Sequence, residues 1–457
     1  MPIMTENGRI DNIINKKFEQ FMKRFGIGAL LRNAGAVKKK GAKPYKVFVY
    51  LLGLVFTRKN LYESMNERHE KPSFGKSTAY RFLSIATINW ERFIRRLAES
   101  VIPEVNKLTE EARKVALIID DTPYWRNRSK KVELLSRCYD HSENKYYKGF
   151  ALLNLGWSDG QTFMPVDFRL LSSGKDANLL EGSHVREDRR TLATRRRMES
   201  RTEKPALALQ MLRNAKGTPV EARYVLFDSW FASPSFMISV KGLGYDVVAR
   251  LKNHENYRYL RGGEKLSISQ LYQTGAKRRG RSRYLLSVIV EIQHKDYENT
   301  VPAKIVYVRD RINRKKWIAL VSTDTSLNED EIVALYAKRW DIEPFHKVLK
   351  STLSLTKEFQ LRSFDSIVAH TAIVLTRYMF LSLESRENKD ERSIGELFLL
   401  TVEELEDISF RFAFELLLSV LESCLNDFDF IPYDHVNRII GHFITSLPWF
   451  IKDRLVA

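Results

Sequence analysis

Between residues 115 and 251 the pattern of apolar residues admits few chain paths. VALIID at 115–120, GFALLNLGW at 149–157 and FMPVDFRLL at 163–171 follow in turn, the last two over a short connection, which favours antiparallel neighbours. A helical stretch around 203–215 then separates them from YVLFD at 224–228, and YDVVARL follows at 245–251. A helix between two strands allows a parallel crossover. The first and fourth strands both close on acid, at Asp120 with Asp121 beside it, and at Asp228. In a parallel sheet, neighbouring strand ends lie together, although an acid at a strand end is also an ordinary turn former or helix cap.

Three hairpin strands, a helix, a strand, a helix and a further strand is the order of a ribonuclease H-like fold, so the expected class is α/β. The flanks differ in texture. Residues 1–110 repeat apolar residues at three and four, in FEQFMKRFGIGALLRNA, VFVYLLGLVF and NWERFIRRLAESVIPEVNKL, and read as all-α. Residues 252–326 continue in strands, at 283–292, 303–310 and 316–324, and form a β-rich insertion between the core's first part, 111–251, and its final part, 327–375. Apolar helices such as FRFAFELLLSVLESCL make 376–457 a helical C-terminal region.

Charge narrows the partner. Lys and Arg total 75 against 56 Asp and Glu, a formal charge of +19, while 44% of residues are hydrophobic. That is enough apolar material for sizeable cores, so the excess sits on folded surfaces and points to a polyanion. Lys38, Lys39, Lys40, Lys43 and Lys46 crowd one connection without an acid among them, which suits phosphate contact and equally a solvated loop. SFGKSTAYRFL at 73–83 has serine and threonine start signals and then a basic, aromatic helix, as a helix-turn-helix recognition element has. VREDRRTLATRRRMESRTEK at 185–204 carries Arg195, Arg196 and Arg197, and AKRRGRSR at 276–283 carries Arg278, Arg279 and Arg281; both are candidate DNA contacts or solvated segments.

Other chemistries find no support. Cys138 and Cys424 form no CxxC pair, which argues against disulfides and thiolate zinc and reads as a cytosolic redox setting. The polar N-terminus lacks a signal peptide's apolar core, and the ten-residue run at 47–56 is shorter than the roughly 20 residues a bilayer requires. GKS at 75–77 lacks the glycine five residues earlier that a phosphate-cradling loop needs, since Glu70 stands there. No HExxH occurs.

What remains is carboxylate chemistry. Phosphoryl transfer between nucleic-acid strands needs an activated attacking oxygen and a stabilised leaving oxygen, which two hard divalent cations held by carboxylates supply. Besides Asp120 or Asp121 and Asp228, the helix YAKRWDIEPFHKVLK offers Glu343. Tyr336, Arg339, Lys347 and Lys350 stand seven and four residues before it and four and seven after it, on one helical face within about 60°. Ile332, Leu335, Ile342, Phe345 and Leu349 supply the opposite, core side. Pro344 directly follows Glu343, so either the helix kinks there or Glu343 sits at a junction.

This helix resembles the Y-x2-R-x3-E-x6-K signature of bacterial insertion-sequence transposases of the DDE class, with Tyr336, Arg339, Glu343 and Lys350 matching. DDT at 120–122 resembles that family's first motif, D-x-T or D-x-S, and DSWF at 228–231 its second; the β-rich insertion is similar to that of the hairpin-forming subgroup. The resemblance implies a metal-dependent transposase in which Asp120, with Asp121 as alternative, Asp228 and Glu343 hold two Mg2+ ions, with Mn2+ as substitute. It also implies that Tyr336, Arg339 and Lys350 contact DNA at the cleavage point. Trp340 stacks on a displaced base or packs in the core. The expected partners are double-stranded DNA, as terminal inverted repeats and as target, and a second copy of the chain, with no membrane or small-molecule substrate. The expected setting is the bacterial cytoplasm at the nucleoid. Two alternatives stand beside this: a structure-specific nuclease that does not join strands, and a domesticated DNA-binding regulator.

Overall fold

The structure is a computed structural model. It describes residues 16–57, 61–66, 72–109, 112–140, 143–185, 188–278, 284–310 and 316–387, scattered positions between 414 and 425, and 433–448 with 451–452. It is a mixed α/β protein built on one eleven-stranded sheet, with many helices.

The centre of the sheet follows from the apolar runs. Strands β1 (Ala116–Trp125), β3 (Lys145–Ser158) and β4 (Phe163–Leu171) are antiparallel neighbours, with β2 (Ser136–Asp140) pairing the start of β3. Strands β5 (Tyr224–Phe227) and β6 (Asp246–Arg250) lie parallel on the other side of β1, giving the central order β4-β3-β1-β5-β6. β4 and β5 are buried along their whole length, which is why they read as continuous apolar runs rather than alternating ones. At Gly149, where β3 passes β1 and β2, an added Cβ would meet the Tyr124 carbonyl oxygen at 2.1 Å, so only glycine allows this approach.

The later strands do not form a sheet of their own. β7 (Tyr259–Arg261), β8 (Glu264–Leu266), β9 (Tyr284–Ile292), β10 (Val301–Arg309) and β11 (Trp317–Ser322) continue the same ladder, because β11 pairs antiparallel with β6 through Leu320↔Arg250, Val321↔Ala249 and Ser322↔Val248.

Before the sheet come α1 (Lys16–Arg24), α2 (Ile27–Asn33), α3 (Pro44–Gly53), α4 (Leu61–Asn66), α5 (Lys76–Leu83) and α6 (Trp90–Asn106). Gly75, not a serine or threonine, caps α5. Among the later helices, α7 (Leu192–Ser200) and α8 (Lys204–Ala215) precede β5, α9 (Pro234–Gly242) precedes β6, and α10 (Ile268–Thr274) lies in the insertion.

The helix expected to carry YAKRWDIEPFHKVLK is two helices. α11 (Glu329–Ala337) and α12 (Ile342–Ser351) are separated by a 3-10 turn at Lys338–Asp341. Glu343 thus sits at a junction, and Pro344 falls in the first turn of α12, where no intrahelical N–H is needed. The expected core side, Ile332, Leu335, Ile342, Phe345 and Leu349, is buried.

Helix α13 (Phe364–Glu387) is buried on nearly every side, between the N-terminal helices and β4. By length and composition it is apolar enough to cross a membrane, and its most apolar stretch is wholly enclosed by protein. Within it, fully buried Arg377 donates to the carbonyls of Leu51 and Leu52 at 2.5 and 2.9 Å and to Glu358 at 2.6 and 2.8 Å, tying α3 to the core. Residues 388–413 lie outside the described residues; beyond them, α14 spans Tyr433–Ser446.

Candidate active site

The parallel register of β1 and β5 pairs Ile119 with Phe227, where β5 ends. β1 does not close at Asp120 as expected but runs on to Trp125, because β3 continues to pair it, so Asp120 lies within β1 where its pairing with β5 stops, next to Asp228. Asp120 Oδ1 accepts the backbone N–H of Asp121 at 2.8 Å, and Asp228 Oδ1 accepts that of Trp230 at 2.9 Å. Burial, followed by the negative charges of Asp228 and Asp121, pushes the Asp120 carboxyl up to about 7 against the opposing pull of Arg339. Both aspartates open into a cleft of about 2750 Å³ that Glu343, Arg339, Lys347 and Lys350 also line.

Arg339 joins the two halves of the site. Its Nη1 lies 3.2 Å from Asp120 Oδ2 and 3.5 Å from Glu343 Oε1, so one guanidinium nitrogen is shared by an acid of β1 and the helix acid. Arg339 is buried, and its Nε has no hydrogen-bond partner. Glu343 is half exposed. Tyr336 is buried beneath this group, and burial raises its phenol pKa.

Asp121 is differently occupied. Lys204, at the start of α8, donates to both Asp121 oxygens at 2.8 Å. Its charge is thereby balanced within the protein, whereas Asp120 faces other acids. Lys204 escaped the sequence reading because it closes a segment of mixed charge with no motif around it. Lys350 donates to Thr122 Oγ1, and burial lowers its pKa.

The basic segments divide. Arg196 and Arg197, expected to meet DNA, are buried instead: Arg196 pairs with Glu91 at 3.2 Å and with Asp365, and Arg197 pairs with Glu133 at 2.7 Å and Asp365 at 2.8 Å. The same residue type that seeks phosphate also bridges buried carboxylates, and composition cannot separate the two uses. Arg195 is exposed on the opposite side of α7. Arg278 is exposed, stacks on Tyr284 at 4.3 Å and donates to its hydroxyl. Arg279 and Arg281 lie outside the described residues. Trp340 is 59% exposed, which excludes the core alternative, and the Arg339 guanidinium covers its ring at 4.5 Å.

His346 is buried against β3, with Nε2 3.1 Å from Asn154 Nδ2. Burial, then the charges of Lys350 and Arg339, lowers its pKa to about 3, so it is neutral. The native state resists its protonation. Its stabilising contribution is full above its ordinary value of 6.5 and is lost as pH falls toward about 3, by at most about 1.4 kcal/mol per pH unit. His370, depressed by burial in spite of Glu358, acts in the same direction. Urea unfolding at stepped pH below 6.5 is expected to show this slope, and His346→Gln to make it shallower; an unchanged slope contradicts the burial argument.

Among the described residues no three His, Cys, Asp or Glu side chains are gathered tightly enough to hold a metal ion as they stand. The donor chemistry nonetheless fits a hard cation. Asp120 and Asp228 offer carboxylate oxygens side by side, their mutual repulsion is what a cation relieves, and Glu343 stands in the same cleft. A family described as "DDE superfamily endonuclease" matches residues 43–318, a stretch that includes Asp120 and Asp228 and ends before Arg339 and Glu343. No curated protein matches the chain. With more than half of its 457 residues matched, the chain belongs to the DDE superfamily endonucleases.

Proposed function

We propose that this DDE-family protein is an insertion-sequence transposase that cuts DNA at the ends of its element and joins the freed 3′ ends to target DNA, by a cut-and-paste route. The observation that carries the proposal is the Arg339 bridge between Asp120 and Glu343, next to Asp228, in one cleft that Lys347 and Lys350 also line. The ribonuclease H-like reading of the core is supported by the order β4-β3-β1-β5-β6, with β1, β5 and β6 parallel and β3 antiparallel to its neighbours.

In this proposal Asp120, Asp228 and Glu343 hold Mg2+, or Mn2+ in its place. When bound, the divalent ions activate the attacking oxygen and stabilise the leaving one. The chain's own groups do the rest. Arg339 exchanges its carboxylate partners for a DNA phosphate. Lys347 and Lys350 fix neighbouring phosphates, and Tyr336 braces Arg339 from beneath. Asp121 stays neutralised by Lys204 and outside the reaction. Trp340 stacks on a displaced base. The partner DNA is the element's inverted repeats and its target, in the bacterial nucleoid. Pairing of two ends calls for a homodimer, and exposed Ile439, Phe443 and Ile444 on α14 suit an interface for it.

Incubating the protein with the DNA that flanks its own coding region, Mg2+ and a supercoiled plasmid tests the reading. Joined products are expected. Cut but unjoined DNA would make the protein a nuclease, and binding without any cutting would make it a regulator.

A further inference from the structure

Every exposed tryptophan among the described residues lies in the same cleft. Trp125 is 41% exposed, Trp230 45% and Trp340 59%, while Trp90 and Trp157 are fully buried. Scattered exposed apolar side chains are ordinary, but three indoles gathered around one opening are not.

Each indole is also tied by a cation to one of three consecutive residues of β1. Arg339 covers Trp340 and binds Asp120. Lys204 lies 4.7 Å over Trp230 and binds Asp121. Lys350 lies 5.0 Å over Trp125 and binds Thr122. The rings are therefore positioned relative to the acids rather than free to swing. Trp230 stands two residues beyond Asp228, and Trp125 stands five residues along β1 from Asp120, roughly 17 Å at strand rise.

A ligand fitting this arrangement has flat π faces and negative charge together. In duplex DNA the base faces are covered by stacking on one another, so only unpaired nucleotides present both. We propose that Trp125 and Trp230, beyond the Trp340 position, are stacking platforms for unpaired nucleotides of the DNA held in the cleft, with Lys204 and Lys350 as the residues that position the rings. The proposal rests on DNA being the substrate, as argued above, and concerns which part of it the cleft grips.

The test uses the full chain in EDTA, so that nothing is cut, and compares a blunt duplex with the same duplex carrying a run of unpaired thymidines. Trp125→Leu and Trp230→Leu are each expected to weaken binding of the tailed DNA roughly tenfold and leave the blunt duplex unaffected. Trp125→Phe and Trp230→Phe should recover most of the loss. In the unaltered protein the tailed DNA should quench tryptophan emission more than the blunt duplex does. Equal weakening for both DNAs, no weakening, or equal quenching overturns the proposal. A protein that binds tailed DNA as expected yet neither cuts nor joins in Mg2+ overturns the transposase reading and leaves this one standing.

Discussion

Asp228→Asn is expected to abolish Mg2+-dependent DNA processing, by about a thousandfold or more, while leaving the fold and DNA binding intact. A cation-holding carboxylate contributes several kcal/mol to the transition state, and about 1.4 kcal/mol corresponds to each tenfold in rate. Asp120→Asn should behave alike. Asp121→Asn, one residue away, should keep most activity, because Lys204 already occupies both Asp121 oxygens. The contrast between adjacent residues is what makes the experiment informative: equal loss at 120 and 121 would mean a general disturbance of this part of β1. Asp228→Asn should also leave the thermal midpoint unchanged or higher. Part of what pushes the Asp120 carboxyl up to about 7 is the charge on Asp228, and its removal relieves that repulsion. A lower midpoint together with lost activity would reduce the result to misfolding.

The second large effect is on stability, far from the carboxylates. Glu133 is fully buried and accepts from Arg197 Nε and Nη2 at 2.7 and 2.8 Å and from the backbone N–H groups of His184 and Phe364, both at 2.8 Å. Burial opposes its charge, but these donors hold its pKa below the ordinary carboxylate value. Glu133→Ala leaves Arg197 with only Asp365 to balance it and strands two backbone donors. The expected loss is about 3 to 5 kcal/mol, the range for breaking a buried ion pair from one side. Adding Arg197→Met should restore part of that loss, since the uncompensated cation goes with it. Chemical denaturation of the single and double variants measures both. A single-variant cost below about 1 kcal/mol would place the network at the level of a surface pair.

The central strands were legible because burial on both faces leaves little choice of residue. Expectations at 163–171 and 224–228 agree with Phe163–Leu171 and Tyr224–Phe227 to within a residue. β2 was not legible: SRCYD is polar and half exposed, so nothing in its composition marks a strand, and pairing with β3 alone makes it one. The adjacency of Asp120 and Asp228 followed from two strands and a crossover helix, but the end of β1 did not: it runs on to Trp125 because β3 continues to pair it. Which of Asp120 and Asp121 faces the other acids did not, because the answer lies in Lys204, more than eighty positions away in sequence. The arginines of α7 misled for a related reason. Helical spacing sends Arg195 outward and Arg196 and Arg197 inward, and the acids that receive them, Glu91, Glu133 and Asp365, come from three distant segments.

The continuous ladder from β6 into β11 has a consequence for how this protein tolerates truncation. With β11 on its flank, β6 shows no unsatisfied row of amides to solvent, and β10 in turn shields β11. Excising the hairpin of β9 and β10 would strip that shield and leave a bare strand able to recruit the same strand of another molecule. A shortened chain would accordingly tend to self-associate along this margin, so the added strands serve as a selvedge for the sheet whose middle carries the acids.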